Sequence, residues 1–273
     1  MASALQQQAT RHGMLLMLVA VSLLPIMDAI AKDLGERYPV LQVTWGRYVF
    51  TLLCILPQLL WRYRDQLLVI PKPGLQLARG LAQVLATFLF FLTLTYLPLA
   101  DTVALAFMYP LIVTALAPFV LGERVGWRRY AAVVLGFLGA MVIIRPGLGV
   151  FQPASVFGLG IGFAFALFIL LTRLLRGRAP PLVSLGWAAA VGVITTSLLV
   201  PFVFVPMVWG DWLWLLLIGL LGATAHQCLI RAFETAPAAV LSPLGYAEIL
   251  MAVLIGYLWF GDFPDGATWA GIL

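Results

Sequence analysis

Residues 242–261 read SPLGYAEILMAVLIGYLWFG, an apolar stretch that contains one acidic residue, Glu248. About 20 mostly apolar residues are enough for an α-helix to cross the hydrocarbon core of a bilayer. An acidic side chain at the centre of such a helix costs on the order of 2.5–3.5 kcal/mol on insertion. To offset this cost, Glu248 is predicted to bind a cation, carry a proton, pair with a basic group or form a structural hydrogen bond to a neighbouring helix.

The composition of the whole chain agrees with a membrane setting. Of its 273 residues, 63% are hydrophobic and 10% are charged, against about 45–50% and 25% in soluble domains. The net charge is +5, but the basic residues lie in short clusters between apolar runs. This distribution excludes a soluble protein, makes membrane lipid the surrounding partner, and predicts no nucleic-acid partner.

Apolar runs separated by short breaks with Pro, Gly or charged residues predict an all-α polytopic membrane protein with ten transmembrane helices. The predicted spans are 13–31, 40–60, 76–97, 100–121, 128–145, 155–175, 182–206, 211–233, 237–260 and a tenth from 266. The tenth is expected to be incomplete, because the sequence stops at Leu273. The first span also resembles a secretory signal, with Arg11 before the apolar run and Ala29-Ile30-Ala31 as a cleavage site. The helices that follow favour a membrane helix there.

The arginines and lysines predict the orientation. With ten spans and a cytoplasmic N-terminus, twelve of them fall on the cytoplasmic side and three, Lys32, Arg37 and Arg145, on the outer side, while Arg47 lies inside a span. This bias predicts an inner-membrane protein of bacterial type with its N-terminus in the cytoplasm. The oligomeric state stays open between monomer and homodimer.

The two halves of the sequence match weakly at an offset of 139 residues. The matched pairs include Pro98 and Pro237, Phe107 and Tyr246, and Gly122 and Gly261. We therefore expect two five-helix repeats, residues 1–147 and 148–273, the second cut short in its last helix. An odd number of spans inverts the second copy in the membrane, and inverted repeats are typical of secondary transporters.

The chain also resembles the ten-helix EamA-type branch of the drug/metabolite transporter superfamily over nearly its whole length. The residues that carry the resemblance are Lys32, Arg47-Tyr48, Gly122-Glu123, Pro243, Tyr246, Gly256, Phe260-Gly261-Asp262 and Pro264. The family usually has Glu at position 262. The resemblance implies an inner-membrane carrier of small metabolites with a central cavity lined by helices 1, 3, 4, 6, 8 and 9. It does not imply one substrate, because those of the family range from amino acids and nucleosides to vitamins and S-adenosylmethionine-like compounds.

Polar side chains within the spans are the candidate substrate-binding residues, since such groups usually face a cavity or one another. They are Glu248, Tyr246, His226, Gln227, Asp28, Tyr109, Arg47, Gln83 and Ser242. Other roles stay open for some of them. Asp28 could pair with Lys32 one turn later, Arg47 could reach the outer surface, and His226 could be a hydrogen-bonded core residue.

The chain contains no HExxH, GxxxxGK[ST] or GxSxG motif, and no His, Cys and carboxylate cluster with metal-ligand spacing. No metal or cofactor is therefore expected, and the chain is predicted not to be an enzyme. The prediction is a secondary transporter that moves a small polar or amphipathic metabolite by alternating access. Buried acids beside aromatics favour a substrate with a positive group and a flat or apolar part. The alternatives are an intramembrane enzyme acting on a lipid, with Glu248 and His226 as acid and base, and a lipid-translocating or structural membrane subunit.

Overall fold

The computed structural model describes residues 2–67, 69, 71–122, 126–127, 131, 134–135, 137–139, 142, 155–175, 178–236 and 238–272. In these residues the regular structure is helical throughout. The helices are α1 (Ala2–Gly35), α2 (Val40–Arg62), α3 (Arg64–Leu67), α4 (Pro73–Leu94), α5 (Leu99–Ala106), α6 (Tyr109–Leu121), α7 (Ser155–Leu174), α8 (Pro181–Leu199), α9 (Trp209–Thr235), α10 (Ala238–Gly245), α11 (Ala247–Phe260) and α12 (Gly266–Ile272). A short 3₁₀ turn, Val200–Phe202, follows α8.

Seven helical segments in the described residues are long and apolar enough to cross a membrane. They confirm the first four predicted spans and the sixth, seventh and eighth, with α5 and α6 forming the fourth together. The predicted span 128–145 lies mostly outside the described residues. Large apolar side chains such as Phe119, Ile194 and Leu258 are exposed, as expected for surfaces that face acyl chains.

Two of the apolar runs are broken near their middle. The fourth span is interrupted between Ala106 and Tyr109, where Pro110 stands in the first turn of α6 and lacks the N–H that a continuous helix would need. The ninth is interrupted at Tyr246, between α10 and α11. The rings of Phe107 and Tyr246, one at each break, lie with their centroids 5.8 Å apart. The two broken helices therefore meet where they are interrupted.

These two broken helices also run in opposite directions. A Cβ placed on Gly256, near the end of α11, would lie 3.7 Å from the Cβ of Leu99, at the start of α5. Both helical segments end on a glycine with positive φ, Gly122 at 68° and Gly261 at 73°, which is the left-handed conformation that ends many helices. The end of the bundle that carries Lys32 and Asp262 is called the outer end below, and the end that carries Arg79 and Arg173 the inner end, after the orientation that the sequence predicts.

Close packing by glycine holds α2 between α8 and α9. A Cβ on Gly219 of α9 would lie 2.3 Å from the Cβ of Phe50 and 2.6 Å from its backbone carbon. On the opposite side, a Cβ on Gly192 of α8 would lie 2.4 Å from the ring of Tyr48. Small residues at such contacts let membrane helices approach closely. The approach fixes Arg47 and Tyr48 of α2 in the interior of the bundle.

Candidate functional site

Two carboxylates from different helices form the centre of the candidate site. Asp28 of α1 is only 4% exposed, and Glu248 lies half-buried in the first turn of α11. The two groups are close enough to interact electrostatically with each other. Asp28 interacts in the same way with the guanidinium of Arg47. The structure thus brings together three of the residues that the sequence singles out.

Arg47 connects these acids to His226. Its guanidinium lies 5.4 Å from the ring centroid of Phe91 and interacts electrostatically with His226. Arg47 and His226 line a small cavity of about 10 Å³, room for about one water molecule. The possibility that Arg47 reaches the outer surface does not hold, because the side chain is half-buried at this cavity.

His226 has one ring nitrogen held by its own helix. Nδ1 lies 2.8 Å from the carbonyl oxygen of Gly222. A carbonyl can only accept a hydrogen bond, so Nδ1 donates and Nε2 of the neutral ring remains an acceptor. The hydrogen bond to Gly222 agrees with a structural role, and His226 also lines both of the cavities described here.

An aromatic wall lies beside Glu248. Tyr109 interacts electrostatically with Glu248 and Tyr246, and its ring lies 4.9 Å from that of Phe165 and 6.1 Å from that of Phe107. Tyr246 is 60% exposed and contacts Phe107. Asp28, Arg47, His226, Glu248, Tyr109 and Tyr246 are called the central cluster below.

A larger cavity of about 350 Å³ extends from the central cluster towards the inner end. It lies between α4, α7, α8 and α9 and shares Gln83, Leu185 and His226 with the small cavity. Gln83 is 6% exposed. Deeper along α4, the Thr87 hydroxyl lies 2.9 Å from that of Tyr48. Among the predicted residues, Gln83 therefore connects the inner cavity with the centre.

Arg79 belongs to the candidate site, although the sequence predicts it only as one of the basic residues on the cytoplasmic side. It is the seventh residue of α4 and only 3% exposed, and it lines the larger cavity. One signal could have identified it. Gln83 is four positions after Arg79, and this spacing places both side chains on one face of the helix.

Hydrogen bonds and ion pairs join the helices at the outer end. Lys32 Nζ lies 3.0 Å from Asp262 Oδ2 and 4.4 Å from the ring centroid of Phe260. The suggested pair between Asp28 and Lys32 is therefore wrong, because Lys32 binds a carboxylate that is distant in sequence. Gln42 donates to and accepts from the backbone of Val205 at 2.8 and 2.9 Å.

Asp211 provides a second junction at this end. It accepts hydrogen bonds from Arg37 Nη1 at 2.7 Å and from the Tyr38 hydroxyl at 2.6 Å. Arg37 also bonds Asp33 Oδ2. Although desolvation lowers the pKa of Arg37, its hydrogen bonds to Asp33 and Asp211 raise that pKa above its ordinary value.

One predicted residue is not brought into the site, and the side chain of another lies outside the described residues. Gln227 is half-buried and lines neither of the two cavities described. Ser242 lies in α10, and its side chain lies outside the described part of the structure. Within the described residues, no three His, Cys, Asp or Glu side chains form a group that could hold a metal ion.

The structure is a bundle of apolar helices with ionisable residues around interior cavities. This arrangement is typical of membrane carriers. The chain belongs to the EamA-like transporter family, which it matches over residues 11–145 and again over 152–273. The match covers both halves of the sequence, in agreement with the resemblance inferred from its motifs.

Three relatives show the breadth of this family. The chain is 25% identical to the S-adenosylmethionine uptake transporter of Rickettsia prowazekii, with 94% of this chain and 87% of that protein covered. It is 30% identical to the riboflavin transporter of Vibrio cholerae, covering 95% and 89%. It is 26% identical to the pseudopaline exporter of Pseudomonas aeruginosa, covering 96% and 92%. One solved crystal structure, 22% identical, superposes with a TM-score of 0.62 over 97% of this chain and 92% of that one, a similarity of fold.

These similarities establish the general activity. The chain is an integral membrane protein that transports a small metabolite, and it is a transporter rather than an enzyme. The alternative of an intramembrane enzyme acting on a lipid is therefore set aside.

Proposed function

We propose that this transporter moves a small metabolite with a positive charge and a flat or apolar part across a bacterial inner membrane. It does so by alternating access of two inverted five-helix halves, residues 1–147 and 148–273. The observation that carries the proposal is the pair of carboxylates, Asp28 and Glu248, within electrostatic reach of each other beside an aromatic wall.

The charges of the central cluster favour a cationic substrate. When ionised, the two carboxylates exceed the single guanidinium of Arg47 by one negative charge. A buried charge is costly unless it is paired, so a substrate with one positive charge would balance the cluster. The rings of Tyr109 and Tyr246 add a cation–π contact or a flat surface for an aromatic group.

The broken helices support the inverted arrangement. Three of the four helix boundaries of the fourth span recur in the ninth at the sequence offset of 139 residues, and the remaining one differs by a single residue. Leu99 corresponds to Ala238, Ala106 to Gly245, Leu121 to Phe260 and Gly122 to Gly261. Tyr109 corresponds to Glu248, so the two halves contribute different groups from equivalent positions. The opposite directions of the two helices are those expected for an inverted pair of repeats.

The two ends of the bundle support alternating access. At the outer end, Lys32 pairs with Asp262, and Arg37 and Tyr38 bind Asp211. At the inner end, the cavity of about 350 Å³ leads towards His226. With the N-terminus in the cytoplasm, as the basic residues predict, this is an inward-facing state. Separation of the outer ion pairs and closure of the inner cavity would produce the opposite state.

The names of the relatives give the first substrates to test. S-adenosylmethionine carries a sulfonium cation and a flat adenine, and it therefore fits both a carboxylate pair and an aromatic wall. Riboflavin is tested beside it, because the relative named for it is 30% identical over 95% of this chain and its flat ring suits the same wall. It carries no positive charge, so transport of riboflavin but not S-adenosylmethionine would contradict the requirement for a cation. We expect the chain to act as a monomer or homodimer with ten membrane spans.

The proposal is tested by counterflow in proteoliposomes with radiolabelled S-adenosylmethionine, and in parallel with riboflavin. Glu248→Gln removes the charge and keeps the shape of the side chain. We expect it to lower the rate of transport by roughly thirtyfold, as loss of about 2 kcal/mol of buried charge pairing requires. Asp28→Asn should have a similar effect.

Glu36→Gln is the matched control, because Glu36 is an exposed carboxylate just beyond α1. It should transport at the native rate. Native rates in Glu248→Gln for every substrate that the protein carries would refute the role of the carboxylates. Recovery of chemically changed substrate would contradict transport as the activity.

A further inference from the structure

We propose that the larger cavity binds an oxyanion of the transported metabolite, a carboxylate or a phosphate, and that Arg79 is its anchor. This inference rests on the proposed function, because it treats the cavity as the inner entrance to the central cluster. The proposed function requires only a positive group on the substrate. The anion site adds the requirement that the same substrate carries a negative group, separated from the positive one.

Arg79 is held in position but not neutralised by its protein contacts. Its Nη2 donates to the backbone carbonyl of Ser184, and its guanidinium lies 5.8 Å from the ring centroid of Phe168. Its Nε is buried and has no hydrogen-bond partner in the described part of the structure. Neither contact supplies a negative charge. An unpaired buried N–H costs about 1–3 kcal/mol, and more when the group is charged, so the site is one that an anionic ligand would stabilise.

The residues that line the cavity carry basic groups, as Arg79 does. Arg173 of α7 lies on its wall together with Arg79, while the described residues that line it include no carboxylate. The remaining surface carries the hydroxyls of Thr172 and Ser184, the amide of Gln83 and apolar side chains such as Phe168. The guanidinium of Arg79, with no carboxylate among the described residues of the lining, makes this cavity attractive to anions.

Two glutamines on the same face of α4 as Arg79 also have unpaired polar atoms, and of the two only Gln83 lines the cavity. Gln76, one turn before Arg79, is 3% exposed, and both its side-chain oxygen and nitrogen lack hydrogen-bond partners in the described part of the chain. The oxygen of Gln83, one turn after Arg79, is also buried without a partner. Three successive polar groups without full partners are thus aligned along one face of α4. Such groups are ordinarily satisfied, and a polar ligand in the cavity would be within reach of Arg79 and Gln83, which line it.

The dimensions and chemistry agree with a small organic anion. Ligand cavities commonly have volumes of about 300–1,000 Å³, and this one has about 350 Å³. The planar guanidinium can bind a carboxylate or phosphate through two parallel hydrogen bonds, which a lysine cannot reproduce. Phe168 supports the guanidinium from its side and limits its rotation.

The test uses a reporter thiol, so that it does not depend on knowing the substrate. Cys54 and Cys228 are replaced by Ala, and Thr172→Cys places a thiol on the cavity wall. The purified protein in detergent is labelled with an anionic and a cationic methanethiosulfonate of similar size. We expect the anionic reagent to react faster, and Arg79→Gln to reduce the ratio of the two rates about tenfold, as loss of 1.4 kcal/mol of interaction would.

Protection experiments then identify the ligand chemistry. Malonate should slow the labelling about tenfold at saturation, whereas the uncharged malonamide should not. Inorganic phosphate in a parallel arm distinguishes a phosphate site from a carboxylate site. Arg79→Gln should abolish protection, and Arg79→Lys should retain only part of it because the forked geometry is lost. Ala179→Cys serves as a second reporter on the same wall.

The outcomes separate this inference from the proposed function. Glu248→Gln should keep full malonate protection, because the cavity that Arg79 lines is distinct from the carboxylate pair. Equal protection by malonate and malonamide, or undiminished protection in Arg79→Gln, would overturn the anion site and leave the role of Glu248 intact. Retained protection with native transport in Glu248→Gln would support the anion site and refute the cation site.

Discussion

At the scale of single residues, Asp211 stabilises the fold through the hydrogen bonds that it accepts from distant parts of the chain. It is 6% exposed at the start of α9, yet it accepts bonds from both Arg37 and Tyr38 in the segment between α1 and α2. Removing a buried acceptor leaves its donors unsatisfied, which costs more than the bond itself contributes. The residue therefore joins α9 to the outer ends of α1 and α2.

We predict that Asp211→Ala destabilises the protein by about 1–3 kcal/mol and lowers its thermal midpoint in detergent, measured by tryptophan fluorescence. Asp33→Ala is the control, since Asp33 bonds the same arginine with a side chain that is 42% exposed, far more than that of Asp211. Exposed pairs contribute about 0–1 kcal/mol, so its midpoint should stay near that of the native protein. An equal effect of the two substitutions would contradict this account.

Residue patterns predicted much of the candidate site because an ionisable group in a membrane span is costly. This reasoning found Asp28, Glu248, Arg47 and His226, and the structure brings all four into one neighbourhood. It overlooked Arg79, because a basic residue near a helix end is equally compatible with an interfacial position. It also paired Lys32 with the nearest acid in sequence, whereas the partner, Asp262, is 230 residues away. Such long-range contacts depend on the tertiary fold.

At the scale of helices, the contact between α2 and α9 depends on the absence of a side chain. A Cβ at Gly219 would lie 2.3 Å from that of Phe50 and 2.7 Å from the backbone nitrogen of Thr51. The backbone of α2 cannot move without displacing Arg47 and Tyr48. The sequence predicted spans of suitable length, but the faces that pack together follow from such local contacts, which composition does not reveal.

Gly219→Ala should therefore destabilise the fold by about 1–3 kcal/mol, the usual cost of overpacking, and should lower transport through displacement of Arg47. Gly210→Ala is a matched control in the same helix, because a Cβ there would meet no atom within 4 Å. The measurements are the thermal midpoint and the counterflow rate. Native stability in Gly219→Ala would show that the two helices pack less closely than described.

At the scale of the whole molecule, we propose two halves of opposite orientation around one central site. The sequence predicted a helical membrane protein, and seven segments with sufficient length and hydropathy confirm that class. The structure interrupts the fourth predicted span between Ala106 and Tyr109, next to Pro110. The ninth span is interrupted at Tyr246, three residues after Pro243. The position of Pro243 alone therefore does not locate the break. The inverted topology stays a prediction.

The most direct test of that topology is cysteine labelling at two equivalent corners, one in each half. Gly126→Cys follows the fourth span, and Gly266→Cys follows the ninth; a Cβ at either position would meet no atom of the described residues within 4 Å. In intact bacterial cells expressing either variant without Cys54 and Cys228, a membrane-impermeant maleimide is added from outside. The account predicts labelling of Gly266→Cys alone, with Gly126→Cys labelled only after the membrane is permeabilised. Labelling of both variants from the same side would contradict the inverted halves.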